Sequence, residues 1–505
     1  MADSPARRPV VRWGAWGLVI AMLGYLPAHA GLVSALNTFK RGDYTQAFPE
    51  FLALAKLGQP LAQLDVAYLY AAGVGTGRST VRAYGWARLA GQNGEVKGTK
   101  LAAKLRAALT PANRRSAARI VAPYTPAALR SSLLPIFSAG CGTDGRTRCK
   151  AGTWGQTGQC APLHVYRFVY PRGAAFSGVQ GRVVVHFTLM PDGTAHLPYV
   201  LFGLPKPGYR FHAAVRTSIL RSKFARLPPG AQPAPCNAMF AFIERPFTSL
   251  SAYPRLERFI DRMRRGAHSG NPSAEAIYGT LLATVPQVGQ RRERHFLSWL
   301  VKAAQAGVAY AQYEVGESLL AGLGCLHDSA KALRWMRLAA AQDEPHAQVA
   351  LAMRLLRGVP TAAQWARARR RLQAAVARHD KTGAMYLSAL LAAAPEAKFR
   401  DPARALALER MAFRGLGVDP TGYEIRAAAY AAEGRFKRAV RAERRAMAHA
   451  RALGWSLAPL QARLRRYRAG KPWFGDLLDV GAPPRRQARA AHAAAPTSGS
   501  ARLGD

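Results

Sequence analysis

An α-helical solenoid flanking a small α+β segment is the fold class that three features of this 505-residue sequence predict. A helix-pair motif recurs at a fixed spacing in the second half. The same motif stands near the N-terminus. Between the two lies an interval of strict two-residue alternation.

The repeat is the strongest of the three. Trp299, Ala303, Ala304, Ala311, Gln312, Leu319, Leu320 and Gly322 recur thirty-six residues on as Trp335, Ala339, Ala340, Ala347, Gln348, Leu355, Leu356 and Gly358, and Val315 returns as Leu351. A fixed period of this length is one helix–turn–helix unit repeated, and such a unit buries its apolar face only by stacking on a neighbour. Ala and Gly fit where two helices approach closely, and Trp fills the space between successive units. Stacked units predict a binding surface rather than a catalytic pocket.

Near the N-terminus, Ala62, Gln63, Gly73, Gly75, Ala83, Trp86, Arg88, Leu89 and Ala90 match Ala311, Gln312, Gly322, Gly324, Ala332, Trp335, Arg337, Leu338 and Ala339 at a constant offset of 249 without a gap. Ala47 to Ala83 and Gly58 to Gly94 again differ by 36. The Gly-x-Gly of both copies suits a turn that enters positive φ.

These residues resemble the Sel-one-like repeat, a short relative of the tetratricopeptide repeat. Its pattern is Ala-Gln in a first helix, a Gly-rich turn, then Ala-x-x-Trp and Ala-Ala-x-x-Gly in a second. One unit lies at about 60–94 and another at about 309–343. A decayed unit follows at 345–380, where Ala368 and Ala375 hold register and Arg371 replaces the Trp. Ala427 to Phe436, with Ala439 and Ala446, is similar to a tetratricopeptide unit. The resemblance implies a protein-binding scaffold.

Helical character stops near Leu134-Pro135, and a Gly-, Thr- and Cys-rich connector follows. Gly181 to Leu189 then alternates, with Val183, Val185, Phe187 and Leu189 on one face and Arg182, Val184, His186 and Thr188 on the other. Period two predicts a half-buried strand with a solvated second face. Pro191-Asp192-Gly193-Thr194 is a turn signal, and Ala195 to Phe202 is the expected return strand. Phe211 to Phe224 has helical spacing, and Ala238 to Ile243 reads as a third strand.

This order resembles the TonB C-terminal domain over about 163–246. The matching residues are Tyr170-Pro171, Gly181, the Val183/Val185/Phe187 alternation, Asp192-Gly193, Ala213-Ala214, Phe224 and the strand at Met239 to Ile243. The family's usual Ser-Gly after the second strand and its helix-start Asp are absent, and Leu204-Pro205-Lys206-Pro207-Gly208 stands in their place. The resemblance implies a small sheet with a helix on it, whose edge at Met239, Phe240, Ala241, Phe242 and Ile243 adds a strand from a partner through main-chain hydrogen bonds.

The N-terminal residues read as an export signal. Arg7, Arg8 and Arg12 form a basic start, Trp13 to Leu26 is apolar, and Ala28-His29-Ala30 is a small-x-small cleavage site. A spanning helix needs about 20 apolar residues, so this stretch is short for an anchor. The expected organisation is therefore a signal peptide at 1–30, helical repeats at 31–135, a Cys-rich connector at 136–162, the α+β segment at 163–246, helical repeats at 247–480 and a disordered tail at 481–505. Export makes a disulfide among Cys141, Cys149, Cys160 and Cys236 the expected use of those cysteines, while Cys325 reads as a packed free thiol.

The net charge of +44 arises from 72 Lys and Arg against 28 Asp and Glu, and it predicts attraction to anionic envelope surfaces. No recognised nucleic-acid-binding motif is present, and export argues against nucleic acid as the target. Gly73 to Thr80 lacks the Lys of a phosphate loop and is repeated by Gly322 to Gly324, so it reads as a repeat turn. His186 and His196 stand where they could meet across the hairpin; on a polar face they read as solvated. His295, His327 and His379 fall on repeat surfaces. Neither H-E-x-x-H nor G-x-S-x-G occurs. The sequence therefore predicts no enzyme, no cofactor, no metal and no small-molecule substrate. It predicts an exported envelope scaffold binding envelope proteins through its helical repeats and sheet edge, with a TonB-type energy transducer as the alternative.

Overall fold

The computed structural model describes residues 31–137, 162–164, 166, 181–204, 211–227, 233–242, 254–284, 295–356, 360–414 and 419–478, and the elements below are those of these residues. The expected signal peptide, Cys141, Cys149, Cys160, Ile243 and the expected tail lie outside them. Contacts divide the chain into two compact units, one of residues 1–132 with 305–308 and one of 133–304 with 309–505.

The first unit is helical: α1 (Gly31–Lys40), α2 (Tyr44–Lys56), α3 (Pro60–Ala72), α4 (Thr80–Gln92), α5 (Val96–Arg106), α6 (Pro111–Val121) and α7 (Pro126–Ser132). Asp43, Gln59, Ser79 and Thr110 cap successive helices by accepting a backbone N–H of the first turn, which satisfies one of the donors a helix start leaves unpaired. The expected turn glycines have left-handed φ, +74° at Gly73 and +67° at Gly75. A Cβ at Gly75 would also stand 2.1 Å from the Tyr44 carbonyl oxygen, so only Gly fits there.

In the second unit, β1 (Pro162–His164) pairs with β4 (Lys223–Phe224), and β2 (Gly181–Leu189), β3 (Ala195–Leu204) and β5 (Ala234–Phe242) form an antiparallel sheet in the order β3-β2-β5. Helix α8 (Phe211–Arg221) lies between β3 and β4 in sequence. It stops three residues before the expected end, because Lys223 and Phe224 pair with β1 instead. Strand β5 begins four residues earlier than expected. Pro235 lies within it opposite Thr188, a place open to Pro because β5 is an edge strand of this sheet among the described residues.

The helix pairs of this unit run α9 (Pro254–His268) with α10 (Pro272–Thr284), α11 (Phe296–Gln305), α12 (Ala309–Ala321) with α13 (Ser329–Ala341), α14 (Pro345–Leu355) with α15 (Ala362–Ala377), α16 (Lys381–Ala393) with α17 (Pro402–Ala412), and α18 (Pro420–Ala432) with α19 (Phe436–Leu453), closed by α20 (Ala458–Arg468). Buried Arg463 ties the last three together by donating to Glu443 Oε1 at 3.1 Å and to Glu424.

One hydrogen-bonded clamp explains why Ala-Gln repeats. Gln63 Nε2 donates to the Ala55 carbonyl at 3.0 Å, Gln312 to Ala304 at 3.1 Å and Gln348 to Ala340 at 2.7 Å, so each first helix is tied to the end of the helix before it. The Gln carbonyl then accepts from the end of its own unit: Asn93 at 2.7 Å, Gln342 at 2.8 Å and, in the decayed unit, Arg371 at 2.9 Å. Arg371 thus replaces the Trp and completes the clamp as well. All three Gln are buried, and a buried amide holds its place only when its donors and acceptor are used. Trp335 is fully buried and donates Nε1 to the Leu133 carbonyl at 2.9 Å, while Trp86 stacks on Tyr124.

Candidate functional site

Both faces of β2 are buried over residues 185–189. Val183, Val185, Phe187 and Leu189 pack with Phe211, Val215 and Ile219 of α8, as the alternation predicts. The second face is not solvated, contrary to the sequence reading: His186 and Thr188 are only 5% and 3% exposed. The reason is tertiary. Strand β2 is central, and its polar face lies against α12, α14 and α16, the first helices of successive pairs.

His186 and His196 do not meet. The register sets Thr188, not His186, opposite His196. His186 stacks near Tyr199 and His346, with ring centroids 5.0 Å and 5.8 Å away. His196 is held between the Thr194 hydroxyl at 2.8 Å and the Thr421 hydroxyl at 2.6 Å, and it stacks on Trp455 at 4.4 Å. Among the described residues no group of three or more His, Cys, Asp or Glu is placed to hold a metal ion.

A β-bulge seats the hairpin on the helices. His186 pairs with Tyr199 and Thr188 with His196, so Leu197 and Pro198 together oppose Phe187. Leu197 has φ +50°, a conformation that non-Gly residues adopt at a cost of about 1–3 kcal/mol. Its amide donates to Asp419 Oδ2 at 2.8 Å, and its side chain joins the core with Val349, Met385 and Ile425. Asp419 also caps α18 through the Thr421 amide, and Trp455 Nε1 donates to the Leu220 carbonyl at the end of α8. Asp419, Thr421 and Trp455 therefore hold the hairpin and its helix from one side.

Between β2 and the first helices lies a cavity of about 210 Å³, lined by His186 and Thr188 of β2, Tyr313, Glu317 and Leu320 of α12, Leu333 and Met336 of α13, His346, Val349 and Met353 of α14, and Thr382 and Tyr386 of α16. Burial pushes Glu317 up to about 8, and the Glu314 charge adds to it. Burial likewise pushes Glu314 up to about 7, against the pull of Tyr310 and His346. His346 is lowered by burial, but its 2.8 Å pairing with Glu344 and the Asp380 charge outweigh this and hold it above the ordinary histidine range. Asp380 is raised by burial, with His346 opposing. The His346 charge opposes the rise at Glu317, but no hydrogen bond or ion pair within 4 Å joins Glu317 to a described residue. The hydroxyls of Thr188, Thr382 and Tyr386 are buried without a hydrogen bond of ordinary geometry, Thr188 lying beside Tyr386.

The Sel1 repeat model matches residues 60–95 and 309–344. The chain carries Sel1 repeats. Among solved structures it is similar to a Sel1 repeat protein from Oxalobacter formigenes, at 20% identity over 39% of this chain and 82% of that one, with a TM-score of 0.31. It is also similar to a protective antigen with the same repeat fold present in uropathogenic Escherichia coli strains, at 15% identity over 88% of this chain and 65% of that one, again at 0.31. No curated protein matches the chain.

The two matched Sel1 repeats contain the Ala-Gln clamps and the positive-φ turns, so the repeat residues read from the sequence are those that build the helix pairs. Gly73 to Thr80 is the turn between α3 and α4, with Ser79 capping α4. Cys325 is buried and free, and burial pushes its thiol up to about 11. Of the expected edge, Met239 to Phe242 lie in β5. The sequence reading singled out His186, Thr188 and Leu320 of the cavity but not Glu317, Tyr313, His346, Thr382 or Tyr386. The available signal was Glu314 and Glu317, two acids one turn apart in a first helix whose other residues are uncharged.

Proposed function

We propose that this protein is an exported cell-envelope scaffold that binds other proteins through its Sel1 repeats and the β5 edge. Repeats of this kind generally serve protein–protein contact, and the helix pairs here supply such surfaces. One observation carries the reading furthest: the first-helix face of the second unit is covered by the chain's own sheet. Partner binding in this reading therefore falls to the first unit and to β5, whose outer side has no strand partner among the described residues. A disulfide between Cys236 and one of Cys141, Cys149 or Cys160 would staple the segment. It is supported by Cys236 being buried and engaged while Cys325 is free.

The reading assigns no catalysis, and the order β2, β3, α8, β5 supports kinship with the TonB C-terminal domain. That order favours the second reading, an energy transducer. The two differ in their anchoring. No described helix is long and apolar enough to cross a membrane, and the second reading takes the segment at 13–26 as its anchor.

The test is the mass of the purified protein together with cross-linking in the intact envelope. A scaffold gives a chain cleaved after Ala30 that captures envelope proteins, and Ala241→Pro, which removes one strand N–H, reduces capture by the edge. Recovery of an uncleaved membrane protein favours transduction. Capture of no envelope protein would overturn both.

A further inference from the structure

We propose that the cavity between β2 and helices α12, α14 and α16 binds an alkylammonium group, supplied by a free aliphatic amine or by a lysyl side chain of a bound protein. The lysyl source rests on the scaffold reading; the free amine does not.

Three observations carry this. Glu317 lines the cavity, is only 9% exposed and makes no hydrogen bond or close ion pair among the described residues, the charge of His346 reaching it from beyond pairing distance. A buried carboxyl left this way is destabilising unless a cation or donor reaches it. Second, the Thr188, Thr382 and Tyr386 oxygens share the lining and, although Thr188 lies beside Tyr386 and Thr382 beside Tyr199, none makes a hydrogen bond of ordinary geometry, so they retain acceptor capacity that a three-donor ammonium can use. Third, Leu320, Leu333, Met336, Val349 and Met353 supply an apolar wall for a methylene chain.

The acidic groups select a cation over an anion, because an entering ammonium lets Glu317 release the proton that burial otherwise makes it keep. Glu314, Glu344 and Asp380 surround His346, whose charge also reaches Glu317 and which Glu344 already pairs. Arg354, also in the lining, is exposed. At about 210 Å³ the cavity is smaller than the sites that take drug-sized ligands, which restricts it to a short chain.

The experiment is calorimetric titration of the full chain with n-butylamine, N-acetyl-lysine methylamide, n-butanol and butyrate. The proposal predicts saturable binding of n-butylamine, and a loss of about 10- to 100-fold in Glu317→Gln, the range of a charge-assisted hydrogen bond. Asp65→Asn, in the first unit, leaves binding unchanged. Leu333→Trp, which fills the cavity from a half-buried position and keeps Glu317, abolishes it. Circular dichroism checks that each variant is folded. Binding of the lysyl probe as well assigns the site to a partner side chain; binding of butylamine alone assigns it to a free amine. No saturable binding of either amine, equal binding of butanol or butyrate, or full affinity in folded Glu317→Gln would overturn the proposal, while leaving the scaffold reading intact.

Discussion

The repeats at 60–95 and 309–344 are two copies of one motif put to different uses. At the constant offset they share the Ala-Gln clamp, the Gly-x-Gly turn and the buried Trp. They differ where the second copy lines the cavity: Leu64 answers to Tyr313, Tyr68 to Glu317, Ala71 to Leu320, Tyr84 to Leu333 and Ala87 to Met336. Shared positions build the helix pair, and differing positions shape what lies against its first helix. One acid survives in both, Asp65 and Glu314, each raised to about 7 by burial. In the second copy Glu317 adds another acid, which faces β2 across the cavity.

The largest expected effect tests the shared frame. Trp335→Ala removes a fully buried ring and its bond to Leu133, and should destabilise the second unit by about 3–5 kcal/mol. Trp86→Ala should cost somewhat less in the first unit, because its contact is a stack on Tyr124. Denaturant midpoints of both variants measure this, and a midpoint unchanged from wild type would remove the packing role.

Next in size are the clamps. Gln63→Ala and Gln312→Ala each strand a carbonyl and an amide that the structure pairs, at a cost of about 1–3 kcal/mol apiece. Similar losses in the two units would establish one device used twice. A loss in only one would break the equivalence.

The pH dependence sharpens the difference. Glu317 rises from 4.5 to about 8 on folding, so the native state holds its proton where the unfolded chain has released it. Stability from this group is therefore full below pH 4.5 and falls as pH rises toward 8. Glu317→Gln should flatten that fall and raise the melting temperature at pH 8 more than at pH 5. Asp65→Asn should act in the same direction over a lower window, from 3.8 to about 7.

Much of the helical frame was legible because its residues answer to local demands. A positive-φ turn needs Gly, a close helix crossing needs Ala, and a gap between units takes Trp. The core face of β2 was legible from its period of two. Its other face was not, since His186 and Thr188 have the polarity of a solvated face and are buried by helices more than a hundred residues away in sequence. Nor could the sequence indicate that Asp419, Thr421 and Trp455 receive Leu197, His196 and Leu220, because no periodicity connects residues over two hundred positions apart. Glu317 could be seen as an acid one turn from Glu314, but its burial could not, because β2 of another segment lines the cavity it faces.

Docking of the β2–β3 hairpin on the second unit's first helices is tested most directly by amide hydrogen exchange in wild type and Asp419→Ala. The Leu197 amide donates to the buried Asp419 carboxylate. Exchange at Leu197 and its hairpin neighbours should be slow in wild type and markedly faster in the variant, with the α12–α13 amides unchanged. Fast exchange at Leu197 in wild type, or identical protection in both proteins, would contradict the docking.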